Sequence, residues 1–269
     1  MLPVTAPEHS VRPSAVVVIP ARYESSRFPG KALALIAGRP MIEHVYRRAC
    51  EARHVSRVLV ATDDKRIIRV VTAFGGEAVM TSPAHATGTD RLAEVASGLD
   101  CDIIVNVQGD EPLVTPAMIE QAMAPFAADA TAVMSSLRTR LTSRAEYLDP
   151  NVVKVVVDRH DAALYFSRAP IPHARDATPE GDPPATAWRH IGIYAYRRLF
   201  LGIFTHLPPT PLERTERLEQ LRALEHGYRI IVPETAHRSV GVDTPSDLAE
   251  VEAMVAAAAG LRLKGHPIR

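Results

Sequence analysis

Cysteine is scarce: Cys50 and Cys101 are the only two in 269 residues, too few for a disulfide framework and without the spacing of a metal site. A chain of this length buries a core large enough to stand without such staples, and a reducing cytoplasm is the expected compartment. Long apolar runs are missing too. No stretch approaches the ~20 residues that cross a bilayer, and the opening MLPVTAPEHSVRP lacks the apolar segment of a signal peptide. A soluble protein without membrane insertion is expected. Nor is there net charge, since 31 Lys and Arg face 31 Asp and Glu. The broad positive field that draws proteins to nucleic acid or anionic membrane is therefore not expected. A small anion remains possible, because it needs only a few cations at one spot. Internal repeats, heptads and low-complexity tracts are lacking as well, apart from an alanine-rich final helix.

What is present is an alternation. The run 15–19 (AVVVI) is short, β-branched and continuously apolar, the pattern of a strand buried on both faces. A Pro/Gly/Ser-rich loop follows, then a helix with Pro40 in its first turn and Ile42, Val45, Tyr46 and Ala49 at helical spacing. Strands are predicted at 57–61, 77–80 and 102–107, and helices at 64–74, 90–98 and 116–127. This order predicts a doubly wound α/β fold with a mainly parallel sheet. The second half is less regular, with strands at 132–137, 152–157, 163–167, 190–196 and 229–232. Helices are predicted at 212–226, with Leu212, Leu218, Leu221 and Leu224 inward and Gly227 as C-cap, and at 245–258. The Pro-, Gly- and Asp-rich stretch 172–187 reads as a long loop.

In an open parallel sheet, ligands bind beyond the carboxyl ends of the strands. The segment leaving the first strand there is IPARYESSRFPGK, 19–31. Its Arg22, Arg27 and Lys31, with Ser25, Ser26 and the amides near Gly30, are the groups needed to wrap a polyphosphate. A surface turn with solvated charges fits the local pattern equally well. The segment is neither a Walker A loop nor a GxGxxG turn, which disfavours P-loop and NAD enzymes. In QGDEP, Asp110 follows the apolar strand DIIVNV, where a carboxylate could hold a phosphate-bound magnesium or simply cap the next helix. Asp243 before Thr244 and Pro245 carries the same two readings. Thr89 or Asp90 could cap the helix RLAEVA.

The segment 19–31 resembles the signature loop of sugar nucleotidyltransferases, in particular the cytidylyltransferases that activate sugar acids. The resemblance continues through ATDD (61–64), HATGTDRLAE (85–94), VNVQGDEPL (105–113), YFSRAPIP (165–172), RHIGIYAYR (189–197), LEQLR (218–222) and GVDTPSDL (241–248). In that order the blocks resemble the 3-deoxy-manno-octulosonate (Kdo) cytidylyltransferase family. Ala32 stands where proline is more usual, a change that removes no cation.

The resemblance implies a Rossmann-like nucleotidyltransferase fold with a smaller sugar-binding and dimerisation subdomain. A disordered tail at 1–13 would precede one domain over 14–260, made of a CTP-binding half (14–130), a sugar-acid and dimerisation part (131–240) and a returning metal-ligand loop with the final helix (241–260), before a tail at 261–269. It implies catalytic roles for Arg22, Lys31 and Asp110, and nucleotide contacts from Arg22, Ser25, Arg27, Lys31, Thr89, Asp90, Arg91 and Gln108. Asp110 and Asp243 would ligate Mg2+, with Glu111 as an orienting neighbour. Kdo would meet Arg168, His190, Tyr194, Glu219 and Gln220; singly, these read as a snorkelling arginine, a core histidine and a solvated helix edge. Arg138 matches no motif and is given no role. The implied reaction is attack by the anomeric hydroxyl of Kdo on the α-phosphorus of CTP, in the cytoplasm, by a homodimer without nucleic-acid partners.

Overall fold

The computed structural model describes residues 13–24, 28–175 and 181–258. The expected terminal tails, save Pro13, and the segment 176–180 of the long loop lie outside the described residues, as do Ser25, Ser26 and Arg27.

The first half forms β1 (Ala15–Pro20), a short hairpin of β2 (Leu35–Ile36) and β3 (Arg39–Pro40), α1 (Met41–Cys50), β4 (Val55–Thr62), α2 (Lys65–Ala73), β5 (Ala78–Met80), α3 (Gly88–Ser97), β6 (Ile103–Asn106), α4 (Pro116–Met123) and α5 (Pro125–Ala128). The second half adds β7 (Met134–Arg140), α6 (Arg144–Leu148), β8 (Lys154–Val157), β9 (Ala163–Ser167), β10 (Trp188–Arg197), α7 (Arg198–His206), α8 (Pro211–Glu216), α9 (Gln220–Glu225), β11 (Ile230–Ile231) and α10 (Pro245–Ala258).

One nine-stranded sheet runs in the order β11-β7-β10-β6-β1-β4-β5, with the β8–β9 hairpin joined through β10. The strands β5, β4, β1 and β6 are mutually parallel, as the βα alternation requires. The long β10 is antiparallel to β6, β7 and β8. It carries the sheet from the parallel half into the second half. Ala15, Val17 and Ile19 of β1 pack on one face with α1, α2 and α4. Val16 and Val18 face α3 and α7 on the other. Each such fully buried β-branched side chain contributes about 1.5–3 kcal/mol of transfer free energy, which accounts for the strand's unbroken apolar run.

Several boundaries differ from the sequence expectation for identifiable reasons. The helix expected over 212–226 is two helices, because Arg217 sits at φ 53 between them; Leu212 is exposed, while Leu218 and Leu221 are buried. The helix expected over 116–127 breaks where Pro125 offers no amide. Pro40 ends β3 and takes the N-cap position of α1 rather than its first turn. The cap of α3 is Thr87, with Asp90 completing a capping box, not Thr89 or Asp90 themselves. Helices α6 and α7 were not expected; α7 follows β10 with no intervening turn signal.

Candidate active site

The loop after β1, the turn after β6 and the start of α3 meet at the carboxyl edge of the parallel strands. They enclose a cavity of about 390 Å3 lined by Arg22, Lys31, Gln108, Gly109 and Asp110, together with Gly88. Two glycines permit this closeness. A Cβ on Gly109 would lie 2.9 Å from the Pro20 carbonyl oxygen, and Gly30 turns the loop at φ 71. A larger cleft of about 610 Å3 near Asp129, His160 and Arg229 contains none of the expected site residues.

Lys31 is the hub of the cavity. Its Nζ donates to Asp110 Oδ2 at 2.5 Å, to Asp243 Oδ1 at 3.2 Å and to the Val242 carbonyl at 3.2 Å. Burial works against the ammonium, yet the Asp110 and Asp243 carboxylates outweigh it and hold the Lys31 pKa above its ordinary value. The two aspartates, 133 residues apart in sequence, thus converge on one nitrogen. Among the described residues no group of three or more His, Cys, Asp or Glu side chains is arranged to hold a metal. Two hard carboxylates beside a phosphate-sized cavity still suit magnesium, which keeps few protein ligands and takes phosphate oxygens and water for the rest. Removal from water pushes the neighbouring Glu111 carboxyl up to about 7, against the opposing hydrogen bond from Ser239.

The expected nucleotide residues divide. Arg22 lines the cavity and donates from Nη2 to the His85 carbonyl at 2.9 Å. Gln108 lines it too, with its amide on Asn106 Oδ1. Asp90 is committed to the α3 cap, accepting from the Thr87 amide at 3.0 Å. Arg91 corrects the expectation more sharply. Its side chain is fully buried, with Nη2 on Asp63 at 2.6 Å and Nη1 on Thr81. It therefore braces the ends of β4 and β5 from behind the cavity wall, leaving no exposed group for a nucleotide. Thr89 also turns away, donating to Glu219 Oε2 at 2.5 Å.

That last bond leads to a second cluster. His190 stands between Phe166 (5.0 Å between ring centroids) and Tyr194 (5.5 Å), with Nε2 2.8 Å from Ser136 Oγ. Burial raises the Tyr194 hydroxyl pKa well beyond its ordinary value, and the nearby Glu219 charge adds to this. Burial likewise raises the Glu219 pKa, and Glu219 Oε1 is buried with no hydrogen-bond partner among the described residues. Gln220 is buried beside it. The structure thus gathers His190, Tyr194 and Glu219, with Gln220 next along the chain; Glu219 Oε1, which lacks a hydrogen bond among the described residues, lies 3.8 Å from Arg222 Nη2. Arg168 commits two of its three guanidinium nitrogens elsewhere: Nε and Nη1 donate to the carbonyls of Glu216 and Pro150 at 2.8 and 3.0 Å. Sequence reasoning missed Ser136, beneath His190, and Glu216, which accepts from Ser167 Oγ at 2.5 Å and from the Arg168 amide at 2.9 Å. Only the β7–β10 register could have pointed to Ser136, since His190 pairs with Arg138 two residues along the same strand.

His190 gives a pH signature. Burial, with the Arg189 charge adding to it, lowers its pKa from 6.5 to about 3. Below pH 6.5 the unfolded chain binds a proton that the folded chain refuses, so stability falls as pH drops through that window, by up to about 1.4 kcal/mol per pH unit. Glu111 drifts the other way, taking its proton in the folded state below about 7. Because both proteins share that drift, subtracting urea unfolding curves of His190→Gln from those of the parent isolates His190. That parent-minus-variant difference is expected to fall from pH 7 to pH 5; a constant difference would mean that His190 is not held neutral.

A doubly wound sheet with a basic, non-Walker loop after its first strand, facing two convergent aspartates, defines a nucleotidyltransferase. Residues 16–230 match the family described as Cytidylyltransferase. The chain is 57% identical to 3-deoxy-manno-octulosonate cytidylyltransferase of Geobacter metallireducens over 87% of this chain and 94% of that one, and 58% identical to the protein of that name from Syntrophotalea carbinolica over 89% and 98%. The solved structure of CMP:2-keto-3-deoxy-manno-octonic acid synthetase complexed with CTP aligns at TM-score 0.86 and 46% identity, covering 91% of this chain and 99% of that one. The chain belongs to the cytidylyltransferase family, among the 3-deoxy-manno-octulosonate cytidylyltransferases.

Proposed function

We propose that the chain transfers CMP from CTP to 3-deoxy-D-manno-octulosonate, giving CMP-Kdo and pyrophosphate and so activating Kdo for lipopolysaccharide assembly. The observation that carries this reading is the convergence of Asp110 and Asp243 on Lys31, beside the cavity that Lys31, Asp110 and Arg22 line. In nucleotidyl transfer the protein mainly aligns reactants and neutralises charge. Arg22 and Lys31 offset the charge that builds on the leaving pyrophosphate. Asp110 and Asp243 would hold magnesium, which supplies Lewis-acid polarisation of phosphate and hydroxyl oxygens when bound. His190, Tyr194, Glu219 and Gln220 orient the sugar acid; a neutral His190 serves as a hydrogen-bonding group rather than a cation. The attacking group is the anomeric hydroxyl, and no covalent enzyme intermediate is required.

No helix among the described residues is long and apolar enough to cross a membrane. The cytoplasm and a homodimer belong to the proposal through the family resemblance alone.

Purified protein with CTP and magnesium should release pyrophosphate rapidly with Kdo and slowly or not at all with an amino-substituted Kdo or an acylneuraminate. Faster release with either rival would reassign the substrate. Within the sugar cluster, His190→Ala or Gln220→Ala should raise KM for Kdo by about 10-fold or more, the scale of one buried hydrogen bond left unmade, with CTP affinity intact. An equal loss of CTP binding would place these residues in the fold or the nucleotide pocket.

A further inference from the structure

Asp243 arrives from the far end of the chain, and no sheet pairing holds it. Residues 239–244 carry no strand; β11 ends at Ile231 and α10 starts at Pro245. What fixes the carboxylate beside Asp110 must therefore be sought in local contacts, and three of them involve the turn after β6. The Val242 amide donates to the Asp110 carbonyl at 2.9 Å. Ser239 Oγ donates to a carboxylate oxygen of Glu111. Gly241 lies flat over the same side chain, where an added Cβ would stand 3.4 Å from Glu111 Oε1 and 3.9 Å from the Asp110 carbonyl oxygen. On the other side of Asp243, its own amide and that of Thr244 donate to Asp247 Oδ2 at 2.9 and 2.8 Å. Val242 and Val251 seat the segment and α10 in a small apolar cluster with Ile36 and Met41.

We propose that Glu111 is a positioning residue: with Ser239 it latches the segment 239–243 onto the Asp110 turn, and so sets the separation of the two aspartates. The inference rests on the assignment of Asp110 and Asp243 as a pair under Proposed function. The Lys31 ammonium goes to Asp110, Val242 and Asp243. Glu111 is next to the lining residue Asp110 and its amide donates to the Gln108 carbonyl at 3.2 Å, but it does not itself line the cavity. Its action is through Asp243, whose approach to Lys31 Nζ depends on where Gly241 and Val242 lie. The backbone bond from Val242 alone anchors one point. A second anchor three residues earlier fixes the direction in which the segment crosses the turn.

Hydrogen exchange on the protein without metal or nucleotide tests the latch independently of the reaction. In Glu111→Ala and in the milder Ser239→Ala, the amides of Gly241, Val242 and Asp243 should exchange at least about tenfold faster, with β1, β6 and α1 unchanged. Glu111→Gln should restore near-parental protection, because its amide oxygen still accepts the Ser239 proton. In pyrophosphate assays, the magnesium concentration for half-maximal rate should rise about tenfold in the alanine variants and recover in Glu111→Gln, with KM for CTP at saturating magnesium unchanged. Parental protection of these amides in both alanine variants would overturn the proposal, as would a Glu111→Gln protein as loose as Glu111→Ala. Inactivity of the parent itself would instead count against the function, since the exchange arm needs no turnover.

Discussion

Asp110→Asn and Asp243→Asn should each fold normally and lose nearly all activity, and the double variant should be little worse than either single one. Asparagine keeps the size and much of the hydrogen bonding of aspartate, so the 2.5 and 3.2 Å contacts to Lys31 could persist in weakened form. What disappears is the anionic charge that a hard dication requires. Two groups serving one site act as a unit, so the second loss adds little. The check is kcat/KM for the three variants at saturating CTP and magnesium, beside their thermal midpoints. Independent, multiplying losses would show that the two carboxylates serve separate purposes. A collapse of the midpoint in either single variant would mean that the carboxylate holds the fold rather than the chemistry.

Lys31→Ala is expected to lower turnover by more than ~100-fold, the scale of removing one preorganised charge contact from a transition state. The same substitution leaves Asp110 and Asp243 facing each other without their shared cation. Lys31→Arg keeps the charge but not the compact ammonium that reaches three oxygens from one nitrogen, so it should recover only part of the activity. Near-parental turnover in Lys31→Ala would remove the loop after β1 from the mechanism.

Much of the architecture was legible because it depends on local pattern. The unbroken apolar run of β1 is the signature of a strand covered on both faces, and the structure covers both. The basic loop was legible in position, since it leaves a strand whose carboxyl end must face the ligand edge. The second carboxylate on Lys31 was not: Asp243 looks like a helix cap, and only resemblance set it beside Asp110. Arg91 shows the limit most clearly. GTDR displays an arginine at a helix start, but nothing local reveals that Asp63 and Thr81, from the ends of two other strand segments, enclose it. Thr89 and Glu219 form their bond across 130 residues of chain, and Arg168 gives Nε and Nη1 to carbonyls of segments 48 and 18 residues away. Helix punctuation failed for the same reason at Arg217, where a left-handed residue divides a run whose composition is uniformly helical.

The most direct measurement follows phosphorus through one reaction. Protein, CTP and magnesium are mixed with Kdo, and 31P NMR records the products. The expected spectrum shows CTP converted into equal amounts of pyrophosphate and a CMP phosphodiester of Kdo, with neither product formed when Kdo is omitted. CTP that persists unchanged beside Kdo, or breaks down equally without it, would contradict the assignment.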